Sequence, residues 1–206
     1  MRALITGGAK RLGREMSLYL AKRGYDVAVH YNSSDNDAQI LVDEICAMGR
    51  RSAALQANIL EENQVETLVF RAAAALGDPI TVLVNNASIF EYDNIKSATR
   101  MTWDRHLESN LRAPFVLTQK FADQIPDPSL DDNSEPIAAG LIVNMLDQRV
   151  KKLTPEFSSY TIAKMGLWAL TQISARALAP KIRVNAIGPG PTLCGDREDP
   201  IKYQHQ

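Results

Sequence analysis

Two side chains that can handle a proton lie four residues apart in the last third of the chain. Tyr160 and Lys164 belong to the segment SSYTIAK at residues 158–164. On a helix this spacing places the phenol and the ammonium on one face, one turn apart. Because a nearby positive charge favours the phenolate, the pair predicts a tyrosine with a lowered pKa that donates and accepts a proton near neutral pH. Surface helices also contain this spacing by chance, so the pair needs a second feature to indicate a catalytic site.

The second feature is a glycine-rich turn near the start of the chain. Residues 6–13 read TGGAKRLG and follow a short apolar run. A helix N-terminus presents free backbone N–H groups to a pyrophosphate, and Gly7, Gly8 and Gly13 would let the backbone turn tightly and approach it. The alternative is a plain glycine turn between a strand and a helix. Together with Tyr160 and Lys164, a phosphate-binding turn predicts a reductase that uses a nicotinamide cofactor.

The choice between NADH and NADPH is made near the end of the second strand of such folds, where a carboxylate binds the free ribose hydroxyl of NADH. Here the end of that strand and the residues after it are His30, Tyr31, Asn32 and Ser33. No acidic residue follows until Asp35, and Arg11 adds a fixed positive charge beside the phosphates. The sequence therefore favours NADPH, with a solvated helix-start arginine as the alternative for Arg11.

The elements that must position these residues follow from apolar runs and amphipathic stretches. Strands are predicted at residues 3–5, 26–31, 52–56, 81–84, 140–145 and 182–187. Helices are predicted at residues 11–23, 37–48, 61–76, 102–123 and 158–178. Alternating strands and helices with near-continuous apolar strands are typical of a parallel sheet covered on both faces. We predict an α/β, Rossmann-type, doubly wound, three-layer domain over residues 1–192, with an exposed loop at 125–136 and an irregular polar tail at 193–206.

The composition limits the classes of function. A chain of 206 residues with 45% hydrophobic content and a formal net charge of −1 fits one soluble domain and gives no sign of a nucleic-acid-binding surface. We expect no membrane span and no leader, and therefore a cytoplasmic protein. Cys46 and Cys194 lie far apart, so we expect a reducing compartment with Cys46 packed on a helix as a small apolar residue. The three histidines are scattered, and no metal site is expected.

The motifs jointly resemble those of the short-chain dehydrogenase/reductase family from Arg2 to about Thr192. They occur in the family's order as TGGAKRLG at 6–13, NNAS at 85–88, Asn110 in the long helix, YTIAK at 160–164 and IGPG at 187–190. The resemblance implies that Tyr160 donates the proton, that Lys164 binds the nicotinamide ribose, and that Asn110 bends the long helix and holds a water linked to Lys164. It implies cofactor contacts from Thr6, Gly7, Arg11, Leu12, Gly13, His30, Tyr31, Asn32, Ser33, Asn58, Asn86, Ala87, Ser88, Pro189, Gly190 and Thr192.

The chain departs from the usual family pattern at three residues. At these positions it resembles the pteridine reductases and the related bacterial dihydromonapterin and dihydrofolate reductases. Arg11 replaces the usual second glycine of the turn, Phe90 follows NNAS, and Asp147 stands where the family usually has a serine. The resemblance implies that Phe90 stacks on a pterin, that Arg11 touches the cofactor phosphates and reaches the substrate, and that Ser88 contacts the bound ligands.

The chemistry of Asp147 gives an independent argument about the substrate. A serine hydroxyl can donate to the alkoxide that develops when a carbonyl is reduced, whereas a carboxylate repels it. A carboxylate suits a nitrogen-rich ring that gains a proton while its C=N bond is reduced. The sequence therefore favours a pterin or folate-type cyclic imine, with a ketone or 3-oxoacyl substrate as the alternative. Two simpler interpretations stay open, namely Asp147 as a loop residue that accepts backbone hydrogen bonds and Phe90 as a core residue.

The resemblance does not extend over residues 194–206, which read CGDREDPIKYQHQ. Family members usually continue with a helical loop over the substrate, another helix and a seventh strand, so we expect the sheet to lack that strand. A shortened, non-catalytic NADPH binder or dimer partner is therefore a further alternative. The resemblance also implies a homo-oligomer that packs helices 102–123 and 158–178.

Overall fold

Strands and helices alternate along residues 1–190, the part of the chain that the computed structural model describes. The strands are β1 (Arg2–Ile5), β2 (Asp26–Tyr31), β3 (Ser52–Gln56), β4 (Val82–Asn85), β5 (Ser129–Leu130), β6 (Pro136–Ile137), β7 (Gly140–Met145) and β8 (Ile182–Ile187). The helices are α1 (Arg11–Lys22), α2 (Asp35–Ala47), α3 (Glu62–Leu76), α4 (Arg100–Leu107), α5 (Ala113–Gln124) and α6 (Ser158–Ala177). A π-helical turn (Glu108–Arg112) joins α4 to α5, and a 3₁₀ turn (Gln148–Val150) follows β7.

Six of the strands form one parallel sheet in the order β3-β2-β1-β4-β7-β8. The order reverses between β1 and β4, which pair with Ala3 opposite Val82 and Ile5 opposite Val84. At such a switch point the connections leave in opposite directions and open a crevice at the carboxyl ends of the two strands. The predicted doubly wound α/β/α fold is confirmed, and its sheet has six strands within the described residues.

Each face of the sheet is covered by its own apolar cluster. On one face, α3 and α5 contribute Leu68 and Phe121 to a cluster that includes Leu83 of β4. On the other face, α1 and α2 pack in a cluster that includes Leu41 and Val84. The adjacent residues Leu83 and Val84 therefore face opposite layers, as the two-residue period of a strand requires. Burial on both faces explains why the strands read as near-continuous apolar runs.

The long helix predicted at 102–123 is three consecutive helical segments. It begins after Thr99, whose hydroxyl accepts a hydrogen bond from the Thr102 backbone N–H at 3.1 Å in a capping box. The π-helical turn between α4 and α5 then widens the backbone around Asn110. The local bend that the family resemblance implies at Asn110 is thus a π-bulge.

The exposed segment at 125–136 differs from the irregular loop that the sequence predicts. Its strand β5 pairs with β6 in a short antiparallel hairpin. Asp131 stabilises the turn, because its Oδ1 accepts hydrogen bonds from the backbone N–H groups of Asn133 and Glu135 at 2.8 and 2.9 Å. The turn is thus ordered by hydrogen bonds between an aspartate side chain and the nearby backbone, and such bonds leave no periodic pattern of apolar residues in the sequence.

The expectation for Cys46 is wrong. Its side chain is exposed on α2, whereas the neighbouring Ile45 is fully buried against the sheet. Neighbouring residues of a helix point in different directions, so the thiol of Cys46 lies outside the apolar face to which Ile45 belongs. Cys194 and the predicted tail at 193–206 lie outside the described residues.

Candidate active site

Backbone conformations that few side chains tolerate shape the glycine-rich turn between β1 and α1. Gly7 has a φ of +59° and Arg11 a φ of +50°, both in the left-handed region. A Cβ on Gly13 would lie 2.1 Å from the Gly7 carbonyl oxygen, so only glycine permits this approach. The turn opens the first residues of α1 towards a pocket, at the end of the helix that attracts phosphate.

Thr6 and Asn86 join this turn to the end of β4. The hydroxyl oxygen of Thr6 accepts hydrogen bonds from the backbone N–H groups of Asn86 and Ala87 at 2.9 and 3.0 Å. In return, Nδ2 of Asn86 donates to the carbonyl oxygens of Thr6 and Gly7 at 2.9 and 3.1 Å. These bonds hold the two loops of the switch point together.

His30 supports the same turn from beneath. Its Nδ1 accepts a hydrogen bond from the Gly7 N–H at 3.0 Å, so the ring proton lies on Nε2, which donates to the Ala57 carbonyl oxygen at 3.0 Å. Burial lowers the pKa of His30 to about 4 and keeps the ring neutral. The sequence predicts His30 among the cofactor contacts, but its side chain is only 1% exposed and lies behind Gly7. The ring therefore acts through the shape of the turn.

Tyr160 and Asp147 form the centre of the site. Tyr160 lies in the first turn of α6, and its hydroxyl donates a hydrogen bond to Asp147 Oδ2 at 3.0 Å. Burial raises the pKa of Tyr160, and the charge of Asp147 and this hydrogen bond raise it further, while a hydrogen bond with Ser88 opposes them. Tyr160 is therefore protonated at neutral pH. The other carboxylate oxygen, Oδ1, accepts from the Arg149 backbone N–H at 2.9 Å and caps the 3₁₀ turn.

Lys164 lies one turn after Tyr160, as the spacing predicts. Its Nζ donates a hydrogen bond to the Met145 carbonyl oxygen at 2.8 Å and lies 5.6 Å from the centroid of the Tyr160 ring. Burial lowers the pKa of Lys164 to about 8, while the charge of Asp147 acts in the opposite direction. The expectation that Tyr160 has a lowered pKa is wrong for this structure, because burial and Asp147 dominate its environment.

Asn110 holds the loop that follows β4. Its Nδ2 donates to the Ile89 carbonyl oxygen at 3.0 Å, and its Oδ1 accepts a hydrogen bond from Ser88 Oγ at 2.7 Å. Asn110 itself is buried in the π-helical turn. Through Ser88, the π-helical turn is connected to the pocket that contains Tyr160.

Phe90, Phe157 and Tyr160 form an aromatic wall at the side of the site. The rings of Phe90 and Phe157 stack with a centroid distance of 4.2 Å, and Tyr160 meets Phe90 edge-on at 4.7 Å. The Arg149 guanidinium lies over the Phe157 ring at 4.7 Å. Phe90 is 47% exposed, so its interpretation as a core residue is wrong and part of its ring surface is open to a ligand.

A pocket of about 410 Å³ at the switch point brings most of the predicted site residues together. Its predicted members are Gly7, Arg11, Leu12, Gly13, Asn86, Ala87, Ser88, Phe90, Asp147, Tyr160, Lys164 and Pro189. The pocket is also lined by Lys10, Met145 and Leu146, which were not among the predicted site residues. The position of Met145 and Leu146 at the carboxyl end of a predicted strand was a signal that could have found them. The predicted cofactor contact Thr192 lies outside the described residues.

The contacts predicted for the far end of the cofactor follow neighbouring strands. Tyr31 ends β2 and precedes Asn32 and Ser33, and Asn58 comes shortly after β3. The Tyr31 hydroxyl donates a hydrogen bond to Asp35 Oδ1 at 2.6 Å. The first acidic residue after β2 is therefore already hydrogen-bonded to a tyrosine. None of these residues lines the pocket described above, and their contact with a cofactor stays a prediction.

The described residues also limit other kinds of function. No helix within residues 1–190 is long and apolar enough to cross a membrane. The same residues contain no group of three histidine, cysteine or acidic side chains arranged to hold a metal ion.

A doubly wound sheet with a glycine-rich turn and a pocket at its switch point places the protein among the dinucleotide-binding domains. Within that class, the chain belongs to the short chain dehydrogenase family, whose profile matches residues 1–202. The family resemblance that the motifs indicate is therefore confirmed.

The chain is similar to two named reductases and to a further short chain dehydrogenase. FolM alternative dihydrofolate reductase 1 from Brucella suis, solved in complex with NADP, has a TM-score of 0.90 and 39% identity over 99% of this chain and 78% of that one. A short chain dehydrogenase from Burkholderia cenocepacia in complex with NADP has a TM-score of 0.82 and 34% identity over 92% and 73% of the two chains. The 3-oxoacyl-[acyl-carrier-protein] reductase FabG of Staphylococcus epidermidis is 34% identical over 189 residues, 91% of this chain and 73% of its own.

Proposed function

We propose that the protein is an NADPH-dependent reductase that transfers hydride to a cyclic imine of the pterin or folate type, with Tyr160 as the proton donor. The observation that carries this proposal is the hydrogen bond of 3.0 Å from the Tyr160 hydroxyl to Asp147 Oδ2. Reduction of a C=N bond adds hydride to carbon and a proton to nitrogen. A protonated phenol at the pocket supplies that proton, and the neighbouring carboxylate favours a nitrogen that becomes protonated over an oxygen that becomes negative.

The residues present fit NADPH. The close approach at Gly13 and the left-handed backbone at Gly7 open the start of α1 to a pyrophosphate. Lys10 and Arg11 both line the pocket and add positive charge there. NADPH supplies the hydride when it is bound, and Lys164 is proposed to hold its ribose. The Brucella and Burkholderia neighbours, both solved with NADP, support the same cofactor.

Phe90, Arg11 and Ser88 are proposed to hold the substrate. Phe157 stacks on the Phe90 ring, and Phe90 is still 47% exposed, so its open surface is proposed to pack against a flat heterocycle. Ser88 lines the same pocket as Tyr160, which supports a contact between its side chain and the bound ligands. The similarity to FolM supports a substrate of this class.

The second candidate function is reduction of a ketone or a 3-oxoacyl group. The similarity to FabG favours it. Asp147 argues against it, because a negative charge beside the proton donor opposes a developing alkoxide. The two candidates therefore differ in what the carboxylate at position 147 does to the rate.

The deciding experiment follows NADPH oxidation with dihydrobiopterin, dihydromonapterin, dihydrofolate and a 3-oxoacyl thioester. We expect turnover with at least one of the three heterocycles, and its loss in Tyr160→Phe, which keeps the ring and removes the proton. Fast reduction of the thioester without turnover of any heterocycle would replace the first proposal by the second. Tight NADPH binding without turnover of any substrate, and no change in Tyr160→Phe, would support a non-catalytic binder.

We also propose that the protein forms a homo-oligomer through the helices predicted at 102–123 and 158–178. Phe115 of α5 and Ile173 of α6 are 38% and 64% exposed. Both line a groove of about 450 Å³ between the two helices. A second copy that presents the same two helices about a two-fold axis would cover this apolar surface on both subunits at once.

A further inference from the structure

Three buried polar side chains lie behind Tyr160 and have no part in the chemistry proposed above. Asp93, His106 and Ser159 are each at most 1% exposed. They come from the loop after β4, from α4 and from the first turn of α6. A buried carboxylate is costly unless several donors surround it, so the partners of Asp93 indicate what the group is for.

The donors and acceptors of this group can be ordered in one way. The Glu91 backbone N–H donates to His106 Nε2 at 3.0 Å, so a neutral ring carries its proton on Nδ1. Burial lowers the pKa of His106, which favours the neutral ring. His106 Nδ1 then donates to Ser159 Oγ at 2.6 Å, and the Ser159 hydroxyl donates to the Asp93 carboxylate. The result is a directed relay from His106 through Ser159 to Asp93.

The relay also caps the helix that carries Tyr160. The N-cap residue of α6, Phe157, has a left-handed backbone (φ 57°, ψ 46°), and its side chain makes no capping hydrogen bond. Asp93 takes over this function from another part of the chain. Its Oδ1 accepts from the Ser159 backbone N–H at 3.2 Å, and its carbonyl oxygen accepts from the Phe157 N–H at 2.6 Å. A carboxylate at this position also interacts favourably with the helix dipole.

These contacts connect two parts of the active site. Asp93 follows Phe90 by three residues in the loop after β4, and Ser159 directly precedes Tyr160. The His106 ring packs edge-on against the Tyr160 ring at a centroid distance of 5.9 Å. Movement of the relay would therefore displace the proton donor and the aromatic wall relative to each other.

We infer that Asp93, His106 and Ser159 are positioning residues that fix the Tyr160 hydroxyl against Asp147 and in register with the Phe90 ring. The inference rests on the proposed role of Tyr160 as proton donor, but not on which substrate it serves. Disruption of the relay should therefore change the rate of the chemical step and the pKa of Tyr160. If the three residues only capped the helix, their loss would lower stability and leave both quantities unchanged.

Ser159→Ala tests the relay, and Ser158→Ala is its matched control. The control removes a hydroxyl from the same helical turn, where it donates only to the Pro155 carbonyl oxygen at 3.3 Å. We expect Ser159→Ala to lower kcat by about tenfold or more, because small misplacements of a reacting group are costly. NADPH affinity should stay within about twofold, since the glycine turn is untouched. Equal kcat and equal pH profiles for the two variants would overturn the inference, even if Ser159→Ala melts at a lower temperature.

Asp93→Asn provides a second variant of nearly unchanged volume. Its amide keeps only one acceptor oxygen, so either the Ser159 hydroxyl or the Ser159 backbone N–H would face a donor and lose its acceptor. We expect the same loss of kcat, and a double variant with Ser159→Ala that is no worse than the more severe single variant. Fully additive losses would mean that Asp93 and Ser159 act independently. If Asp93→Asn does not fold, Ser159→Ala and its control decide the question.

A titration of Tyr160 separates this inference from the proposed function. NMR of protein labelled with ¹³C at the tyrosine hydroxyl carbon, assigned with Tyr160→Phe, follows the phenol directly. In the parent protein the pKa of Tyr160 is raised by burial. We expect Ser159→Ala to lower it towards the ordinary value, because a loosened ring gains water. If the parent protein reduces no substrate, the proposed function fails while this titration still tests the relay, and an unchanged titration overturns it.

Discussion

Replacing Lys164 with methionine is expected to stabilise the protein at neutral pH. The Lys164 side chain is 3% exposed, and burial lowers its pKa from 10.5 to about 8. At about 1.4 kcal/mol per tenfold change in a protonation equilibrium, the charged ammonium destabilises the native state by about 3 kcal/mol relative to the neutral amine. Methionine keeps an unbranched chain and removes the charge. Loss of the hydrogen bond to the Met145 carbonyl offsets about 1–2 kcal/mol, which leaves a net gain of about 1 kcal/mol or more.

The pH dependence is the more direct test, because it does not depend on how methionine packs. The unfolded chain keeps the Lys164 proton up to about pH 10.5, whereas the native state releases it near pH 8. Between these values the unfolded state binds more protons, so the stability of the parent protein rises with pH. Lys164→Met lacks this rise. From about pH 7 to about pH 10.5, the free energy of unfolding of the parent should therefore gain about 3 kcal/mol on that of the variant.

Urea unfolding of both proteins without cofactor, at several pH values across this window, measures the change. Lys152→Met is the control, because it removes an amine from an exposed residue and should alter the free energy of unfolding by less than about 0.5 kcal/mol at every pH. Parallel stability curves for the parent and Lys164→Met would refute the argument that burial sets the pKa of Lys164.

Three further substitutions test the site and the proposed assembly. Asp147→Ser should lower turnover of the pterin-type substrate by about tenfold or more while leaving ketone turnover equal or higher, as NADPH oxidation with both substrates would show; a parallel loss would contradict the charge argument. Gly13→Ala should weaken NADPH binding by about tenfold or more in a fluorescence titration, because the added Cβ would lie 2.1 Å from the Gly7 carbonyl oxygen. Circular dichroism distinguishes weaker binding from loss of the fold. Ile173→Glu should reduce the molar mass measured by light scattering, because the new charge would be buried in the proposed interface. Ile173 is 64% exposed in the monomer, so the charge should cost little stability there. An unchanged mass excludes that interface.

The sequence was sufficient to predict the order of the layers, because each strand is buried on two faces and must be apolar throughout. β7 and β8, for example, begin and end at the predicted residues. The π-helical turn was implied by resemblance alone, since one widened turn hardly disturbs the apolar stripe of the long helix. The hairpin of β5 and β6 escaped prediction for a different reason. All of its strand residues are exposed, so it has no buried face that could leave a pattern.

The candidate site could be predicted as a set of residues but not as an arrangement of charges. The spacing of Tyr160 and Lys164 gave their shared helical face, yet the direction in which the pKa of Tyr160 moves depends on burial and on Asp147. Both are properties of the tertiary structure. The relay through His106 escaped prediction for the same reason, because its three members come from segments that meet only in the folded chain.

Asp147 shows why one residue can satisfy two interpretations of the sequence. As a loop aspartate it accepts a backbone hydrogen bond from Arg149 through Oδ1, and as an active-site carboxylate it accepts the Tyr160 hydroxyl through Oδ2. A carboxylate has two oxygens and can do both at once. A serine has a single oxygen on a shorter side chain, so it must divide that oxygen between the loop and the phenol. A substitution to serine therefore changes both the charge beside the proposed proton donor and the loop that carries residue 147. The rates for two substrate classes, rather than one, are needed to separate these two effects.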